Sequence, residues 1–177
     1  MSGNSRFITS AQSGPHVDLD GLLRRHLAHP FRKPILDYNR AALLEALEAW
    51  KSWNVDAPLI LDAGCGVGWS TQRIAETHPG HFVIGVDQSV DRISRGKPLP
   101  MPENALLLRA DLVDFWRLLA EKNVRLAKHY NLYPNPWPKI GHLARRWHGH
   151  AVFPVWRELG GVLECRSNWR IYIEEMA

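Results

Sequence analysis

Residues 59–69 read LILDAGCGVGW, an apolar run that leads into an acid and then into glycine at every second position. The apolar residues predict a short strand, and the glycines allow positive φ angles and a close approach of a ligand to the backbone. A helix is expected to begin next, capped by Ser70 or Thr71, with free N–H groups in its first turn. A strand, a glycine-rich turn and a helix in this order are typical of the ligand-binding end of an α/β fold.

Strand-like apolar segments alternate with helical patterns along most of the chain. The predicted strands cover residues 59–61, 82–86, 105–108, 129–133 and 162–166, and the predicted helices cover 22–27, 39–53, 112–122 and 147–158, besides the one that ends at Thr77. This alternation indicates βαβ units, a mainly parallel sheet and helices on both faces. A length of 177 residues suits one domain, with residues 1–38 as an N-terminal arm and 39–177 as the core.

Polar side chains follow the predicted strands at the points where the strands end. They are Asp62, Asp87, Asp111, Asn135 and Asn168. Because the carboxyl ends of parallel strands meet at one edge of a sheet, where open α/β sheets bind ligands, we expect these residues to form one site. Asp87 follows Gly68 by nineteen residues, and a carboxylate at this position can accept both hydroxyls of a ribose.

The glycine spacing distinguishes between two kinds of cofactor. A dinucleotide site has G-x-G-x-x-G, whereas this chain has G-x-G-x-G preceded by Asp62. The pattern resembles the first motif of class I methyltransferases, which have a Rossmann-like sheet and hold the amino-acid end of S-adenosylmethionine in this loop. The resemblance implies cofactor binding by Asp62, Gly64, Gly66, Gly68, Asp87 and Asp111. From the residues alone, a turn without a ligand and a role of Asp111 as a helix cap both stay open.

Positive charge is concentrated in one part of the chain. The formal net charge is +4, and residues 122–157 contain seven Lys and Arg and no Asp or Glu. Such a block favours a polyanionic partner, because each phosphate that is bound releases counterions. A solvated basic face is the alternative interpretation of the same residues.

The fourth predicted strand leads into Tyr133-Pro134-Asn135-Pro136-Trp137-Pro138-Lys139. The three prolines restrict the backbone around one amide, and rigid loops at strand ends often hold active-site groups, although asparagine is also common in plain turns. With the basic residues after it, the segment resembles the tRNA (guanine-N7-)-methyltransferase family, which has Pro-Asp-Pro-Trp followed by Lys, His and paired Arg. That family ends its fifth strand in Thr-Asp-Trp, where this chain has Ser167-Asn168-Trp169.

The resemblance covers about residues 59–177 and implies methyl transfer from S-adenosylmethionine to a guanine in tRNA. It places Asn135 in the catalytic or base-contacting position, and it implies substrate contacts by Lys139, His142, Arg145, Arg146, Asn168 and Trp169. Two acids of the family are amides here, which the chemistry tolerates because guanine N7 attacks with a free lone pair. The family adds a C-terminal hairpin to its sheet, which this chain is expected to lack.

Two other functions account for part of the pattern. Asn135-Pro136 is similar to the Asn-Pro-Pro-aromatic loop of enzymes that methylate exocyclic amino groups, although Trp137 interrupts that pattern. A non-catalytic RNA-binding subunit with a methyltransferase fold would also suit the two amides.

The sequence further indicates a cytoplasmic protein without a metal site. No apolar run reaches the roughly 18 residues of a membrane helix. The cysteines, Cys65 and Cys165, have no metal-type spacing and fit a reducing compartment. The sequence does not predict an oligomeric state.

Overall fold

The computed structural model describes residues 8–95 and 100–177, and the chain divides into two compact units. The first unit comprises Met1–Arg32, Tyr133–Pro154 and Cys165–Ala177, and the second comprises Lys33–Leu132 and Val155–Glu164. The organisation as a single domain stays a prediction. The segment Arg6-Phe7-Ile8-Thr9, with Gln12, is faintly similar to the family's N-terminal arm, and its first two residues lie outside the described residues.

Twelve helices and strands follow one another in the described residues. The strands are β1 (Leu59–Ala63), β2 (Phe82–Asp87), β3 (Ala105–Arg109), β4 (Lys128–Leu132) and β5 (Val162–Arg166). The helices are α1 (Leu19–Ala28), α2 (Asp37–Asn54), α3 (Trp69–Thr77), α4 (Val90–Ser94), α5 (Leu112–Glu121), α6 (Phe153–Leu159) and α7 (Arg170–Met176). Two 3₁₀ helices, Ile140–Arg145 and Trp147–Gly149, lie between β4 and α6.

The five strands form one sheet in the order β3-β2-β1-β4-β5. The pairs β1–β2, β1–β4 and β2–β3 are parallel, and Ile84 of β2 lies opposite Leu61 and Leu106. Every residue of β1 and β2 is buried, which explains why both strands read as continuous apolar runs. With helices on both faces of the sheet, this architecture confirms the α/β fold with a class I methyltransferase-like sheet.

The second unit has two groups of packed side chains in its core. Ile60, Ile74, Val83 and Tyr130 pack together where α3 lies on the sheet. Elsewhere in this unit the rings of Trp116, Trp156 and His129 pack together, with Trp116 and Trp156 4.7 Å apart, and Trp116 Nε1 donates to His129 Nε2 at 3.1 Å. Burial lowers the pKa of His129 to about 3. Trp116 and Trp156 are both buried in the core.

The structure corrects the helix predicted over residues 147–158. Residues Trp147–Gly149 form a 3₁₀ helix, and α6 begins only at Phe153. Pro154 therefore lies in the first turn of α6, where a missing N–H costs little, rather than in the middle of a longer helix. Helices α4 and α7 were not predicted, because both are too short for a clear 3.6-residue repeat.

The part of the chain that the structure describes contains neither a membrane-spanning helix nor a group of residues arranged as a metal site. None of its helices combines the length and hydrophobicity required to span a bilayer. No three His, Cys, Asp or Glu side chains within residues 8–95 and 100–177 are arranged to hold a metal ion.

Candidate functional site

The loop between β1 and α3 depends on its glycines for its conformation. Gly64, Gly66 and Gly68 have φ angles of 77°, 60° and 88°. Residues other than glycine adopt this region of backbone conformation only with strain. The N–H groups of Gly64 and Cys65 donate to the carbonyl of Val86 at 2.8 and 3.1 Å, which joins the loop to the end of β2. A Cβ at Gly64 or Gly66 would meet no atom within 4 Å, so the space beside this loop is open.

Asp62, at the end of β1, shapes the start of α3. Its Oδ2 accepts hydrogen bonds from Ser70 Oγ at 2.6 Å and from Thr71 Oγ1 at 2.7 Å. The predicted capping by these two residues is therefore wrong, since α3 has Gly68 as its N-cap and no side-chain cap. Burial raises the pKa of Asp62, and the two hydroxyl donors oppose this effect. Oδ1 accepts no hydrogen bond from the described residues and remains available to a ligand.

Asp87, at the end of β2, connects three segments through one carboxylate. Oδ1 accepts from the N–H of Ser89 at 2.8 Å, and Oδ2 accepts from the N–H of Gly66 at 3.0 Å. Arg92 of α4 lies 3.4 Å from Oδ2. Because a carboxylate offers about four acceptor positions, this set of donors leaves capacity for a hydroxyl of a ligand.

Asp111 follows β3 and is the N-cap of α5. Its Oδ1 accepts from the N–H groups of Val113 at 2.8 Å and Asp114 at 3.4 Å, which confirms the helix-cap interpretation for this oxygen. Its Oδ2 accepts from Gln88 Nε2 at 3.3 Å. The second unit thus brings Asp62, the glycine loop, Asp87 and Asp111 to the carboxyl ends of β1, β2 and β3.

Asn39 supports this arrangement and was missed in the sequence. It is fully buried in α2, where its Oδ1 accepts from the N–H of Asp111 at 2.8 Å and its Nδ2 donates to Asp114 Oδ2 at 2.7 Å. The sequence does contain a signal for this role, because Asn39 lies four residues before Leu43 and therefore on the apolar face of the predicted helix. A buried amide at such a position has to be hydrogen-bonded.

Asn135 lies in an exposed turn of the first unit. Its Oδ1 accepts from the N–H of Trp137 at 3.4 Å, and its Nδ2 donates to no group of the described residues. Tyr133 and Trp137, two residues before and after it, have backbone φ angles of 51° and 47°, which residues other than glycine rarely adopt. The amide is therefore held by a constrained backbone while its donor side stays accessible.

A partly exposed cluster of basic and aromatic side chains follows Asn135 in the chain. The guanidinium of Arg145 lies 4.9 Å from the centre of the Trp137 ring, and His142 meets the same ring edge-on at 5.5 Å. Lys139 is exposed. Desolvation and the positive charges of Arg145 and Lys139 lower the pKa of His142. We call Trp137, Lys139, His142 and Arg145 the basic surface.

The structure contradicts the predicted phosphate contact of Arg146. Its side chain is 0% exposed, whereas that of Arg145 is exposed. All five of its N–H donors are directed to protein acceptors, which are Oε1 and Oε2 of Glu175, Oε1 of Gln12 and the carbonyls of Trp137 and Lys139. No donor remains for a phosphate, and Arg146 is an internal structural residue.

Trp169 is likewise buried, and its predicted contact with a base is wrong. The indole packs with Ile171 and Tyr172, and the guanidinium of Arg146 lies 4.7 Å from its ring centre. Asn168, the residue before it, is exposed, as expected for a substrate-binding position. Its role stays a prediction.

Comparison with known sequences identifies the family. Residues 56–177 match a family model described as "Putative methyltransferase". The tRNA (guanine-N(7)-)-methyltransferase of Acinetobacter baylyi is 25% identical over 159 residues, which cover 86% of this chain and 62% of that protein. The enzyme of the same name from Alcanivorax borkumensis is 33% identical over 133 residues, 68% of this chain and 53% of that protein. The chain thus spans little more than half the length of these relatives.

Comparison with solved structures supports the fold. A variant of the 16S rRNA (adenine(1408)-N(1))-methyltransferase from Catenulisporales acidiphilia superimposes with a TM-score of 0.50 at 22% identity, over 73% of this chain and 70% of that chain. This likeness shows a shared fold. The match of the family model over residues 56–177 establishes that the chain belongs to the tRNA (guanine-N7-)-methyltransferase family of class I methyltransferases.

Proposed function

We propose that this chain transfers a methyl group from S-adenosylmethionine to N7 of a guanine in tRNA. The observation that carries the proposal is the open glycine loop, which follows Asp62 in the chain and is joined to the end of β2 by the hydrogen bond from Gly66 to Asp87. Family membership and the names of the curated relatives support the same reaction. Because the chain spans little more than half of those relatives, activity and substrate are proposed from its own residues.

The residues of the second unit fit the cofactor. Oδ1 of Asp62 has free acceptor capacity for the ammonium group of the amino-acid end, and the glycine loop leaves open space beside it. Asp87 would accept from a ribose hydroxyl, and Oδ2 of Asp111 would accept from the adenine amino group. The bound cofactor supplies an electrophilic methyl group on a sulfonium.

The chemistry at guanine requires alignment rather than a base. N7 uses its lone pair to form the new N–C bond while the C–S bond breaks, and S-adenosylhomocysteine leaves with the electron pair on sulfur. No proton is lost in this step, so no side chain has to accept one. The task of Asn135 is therefore to hold the edge of the base, and positioning supplies most of the rate enhancement.

The basic surface of the first unit would bind the tRNA. Lys139 and Arg145 are exposed and can contact phosphates, and a base can stack on Trp137 for about 1–3 kcal/mol. Asn168 would contribute a further polar contact. A protein that modifies tRNA in this way acts where tRNA is, so we propose a cytoplasmic location.

The test is methyl transfer to unmodified tRNA. The purified chain is incubated with methyl-labelled cofactor and tRNA, and the RNA is digested and its labelled nucleoside identified. 7-Methylguanosine supports the proposal. A label on an exocyclic nitrogen would instead indicate an amino-methyltransferase. tRNA binding without any transfer would indicate a non-catalytic subunit.

A further inference from the structure

The loop that carries Asn135 and Trp137 is held by its carbonyl groups. Three consecutive carbonyls, those of Trp137, Pro138 and Lys139, accept from Arg146 Nε at 3.2 Å, Ser10 Oγ at 2.6 Å and Arg146 Nη2 at 3.3 Å. Prolines at positions 134, 136 and 138 have no N–H to donate. The loop therefore has few amide hydrogen bonds with which to fix its own shape, and the side chains that bind its carbonyls take over this task.

Arg146 can bind these carbonyls because Glu175 of α7 fixes it. Nη1 of Arg146 donates to both carboxylate oxygens of Glu175, at 2.8 and 2.7 Å, and both side chains are 0% exposed. Gln12 accepts from Arg146 and donates to Glu175, both through its side-chain amide. Burial acts to raise the pKa of Glu175, yet hydrogen bonds from Arg146 and Gln12 hold it below its usual value. The carboxylate is therefore ionised at neutral pH.

The chain of contacts runs from Glu175 through Arg146 to the loop and the basic surface. Arg145 is the next residue to Arg146, and its guanidinium covers the ring of Trp137, whose carbonyl Arg146 binds. His148 Nε2 lies 2.7 Å from Oε2 of Glu175 and adds a further donor to the same carboxylate. A change at Glu175 would thus reach Trp137 and Lys139 without touching either residue directly.

We propose that Glu175 is a positioning residue, which holds the loop of Trp137–Lys139 through Arg146 and so presents Trp137, Lys139 and Arg145 to the tRNA. The effect on tRNA rests on the proposed function. The effect on the loop rests on the geometry of the first unit alone. The two can therefore be measured separately.

The principal test compares Glu175→Gln with Glu174→Gln. Both changes remove one carboxylate charge from α7, but Glu174 pairs with Arg170 on the exposed surface. In Glu175→Gln we expect amide hydrogen exchange in a peptide covering residues 133–146 to accelerate about tenfold, because the buried guanidinium loses its ionic partner. Exchange in residues 59–87 should stay at the parent rate. Glu174→Gln should match the parent in both segments.

The same variants separate positioning from general stability in the methylation assay. Glu175→Gln should raise the KM for tRNA about tenfold at an unchanged dissociation constant for S-adenosylmethionine. The proposal would be overturned if hydrogen exchange in residues 133–146 were as slow in Glu175→Gln as in Glu174→Gln. It would also be overturned if Glu175→Gln accelerated exchange in residues 59–87 as much as in residues 133–146. If the parent protein methylates no tRNA, the proposed function fails, and the exchange measurement alone decides whether Glu175 holds the loop.

Arg146→Lys covers the case in which Glu175→Gln does not fold. Lysine keeps the positive charge opposite Glu175 but lacks the planar set of donors that binds the carbonyls of Trp137 and Lys139. Faster exchange confined to 133–146 supports the proposal. Exchange and KM at the parent values overturn it.

Discussion

The backbone N–H of Gly66 donates to Oδ2 of Asp87 at 3.0 Å. The acid at the end of β2 therefore holds the glycine loop as well as facing the proposed ribose position. Oδ1 of the same carboxylate accepts from Ser89, at the start of α4. Asp87 thus joins the glycine loop to the start of α4.

Replacing Asp87 with alanine is expected to weaken the binding of S-adenosylmethionine. The change removes the acceptor for a ribose hydroxyl and for the N–H of Gly66, a loss of about 1.5–3 kcal/mol for charge-assisted bonds, or about 10–150-fold in affinity. Titration calorimetry measures the effect. Asp91→Ala, an exposed acid four residues later in α4, is the matched control and should bind as the parent does. Equal affinities in the two variants would contradict the role of Asp87.

The sheet and the candidate cofactor residues of the second unit could be predicted because their signals are local. β1 and β2 are buried on both faces and so appear as unbroken apolar runs, and β5 covers the predicted residues 162–166. The glycines at 64, 66 and 68 are required by positive φ angles, which is a property of the loop itself. The helix cap at Asp111 is equally local.

The environment of the basic residues in the first unit was less predictable, because long-range pairing decides it. Arg145 and Arg146 are adjacent in an acid-free segment and look alike in the sequence. Only the fold brings Glu175, 29 residues later, against one of them and buries it. The hydrogen bonds of Asn39 to Asp111 and Asp114 have the same origin, since they join residues more than 70 positions apart.

The two arginines are expected to respond differently to replacement. A Lys139→Ala/Arg145→Ala protein should bind tRNA more weakly, with a salt dependence reduced by about one unit of slope for each phosphate that is no longer neutralised. Its melting temperature should stay close to that of the parent, because both side chains are exposed. Filter binding between low and high salt measures the slope. An unchanged slope would identify the basic surface as a merely solvated face.

Arg146→Ala should instead destabilise the protein. Removing one partner of a buried ion pair leaves the carboxylate of Glu175 without its guanidinium and costs about 3–5 kcal/mol. Urea denaturation measures this decrease in stability. A variant as stable as the parent would contradict the structural role of the buried pair of Arg146 and Glu175.

Gly85→Ala is expected to destabilise the sheet beneath the cofactor loop. A Cβ at Gly85 would overlap Oγ1 of Thr71 and press on Leu107, so α3 or β3 would have to shift. Overpacking of this kind costs about 1–3 kcal/mol, and it should also disturb the hydrogen bond from Thr71 to Asp62. Gly80→Ala is the control, since a Cβ there meets nothing within 4 Å. Thermal denaturation that ranks the two variants equally would refute the close approach of α3.

Acid should destabilise the fold through His129. The pKa of this buried ring is lowered from 6.5 to about 3, so between these values the unfolded chain binds a proton that the folded chain does not. The free energy of unfolding therefore falls as the pH falls, by about 2 kcal/mol between pH 7 and pH 5. His129→Gln keeps an acceptor for Trp116 Nε1 and should remove this part of the pH dependence. His29→Gln, at an exposed position, should retain it.

Asn135 is expected to read guanine differently from the acid of its relatives. A carboxylate only accepts, so it would pair with N1–H and the N2 amino group, whereas an amide can accept from N1–H and donate to O6. In the structure Oδ1 of Asn135 already accepts weakly from Trp137, at 3.4 Å, and Nδ2 has no partner among the described residues, which favours donation to O6. The N2 amino group is then not read by this residue, and inosine should remain a good substrate at the target position.

Single-turnover methylation of tRNAs that carry guanosine, inosine or 7-deazaguanosine at the target tests this account. The parent protein should methylate inosine nearly as fast as guanosine, and Asn135→Asp should favour guanosine, because its carboxylate faces O6 unless it moves to the N1 and N2 side. 7-Deazaguanosine has no N7 lone pair and should be inert with both proteins. If inosine costs the parent more than about 1–3 kcal/mol of transition-state stabilisation, the size of an unpaired buried polar group, another residue reads N2. The exposed Asn168 would then be the first residue to replace.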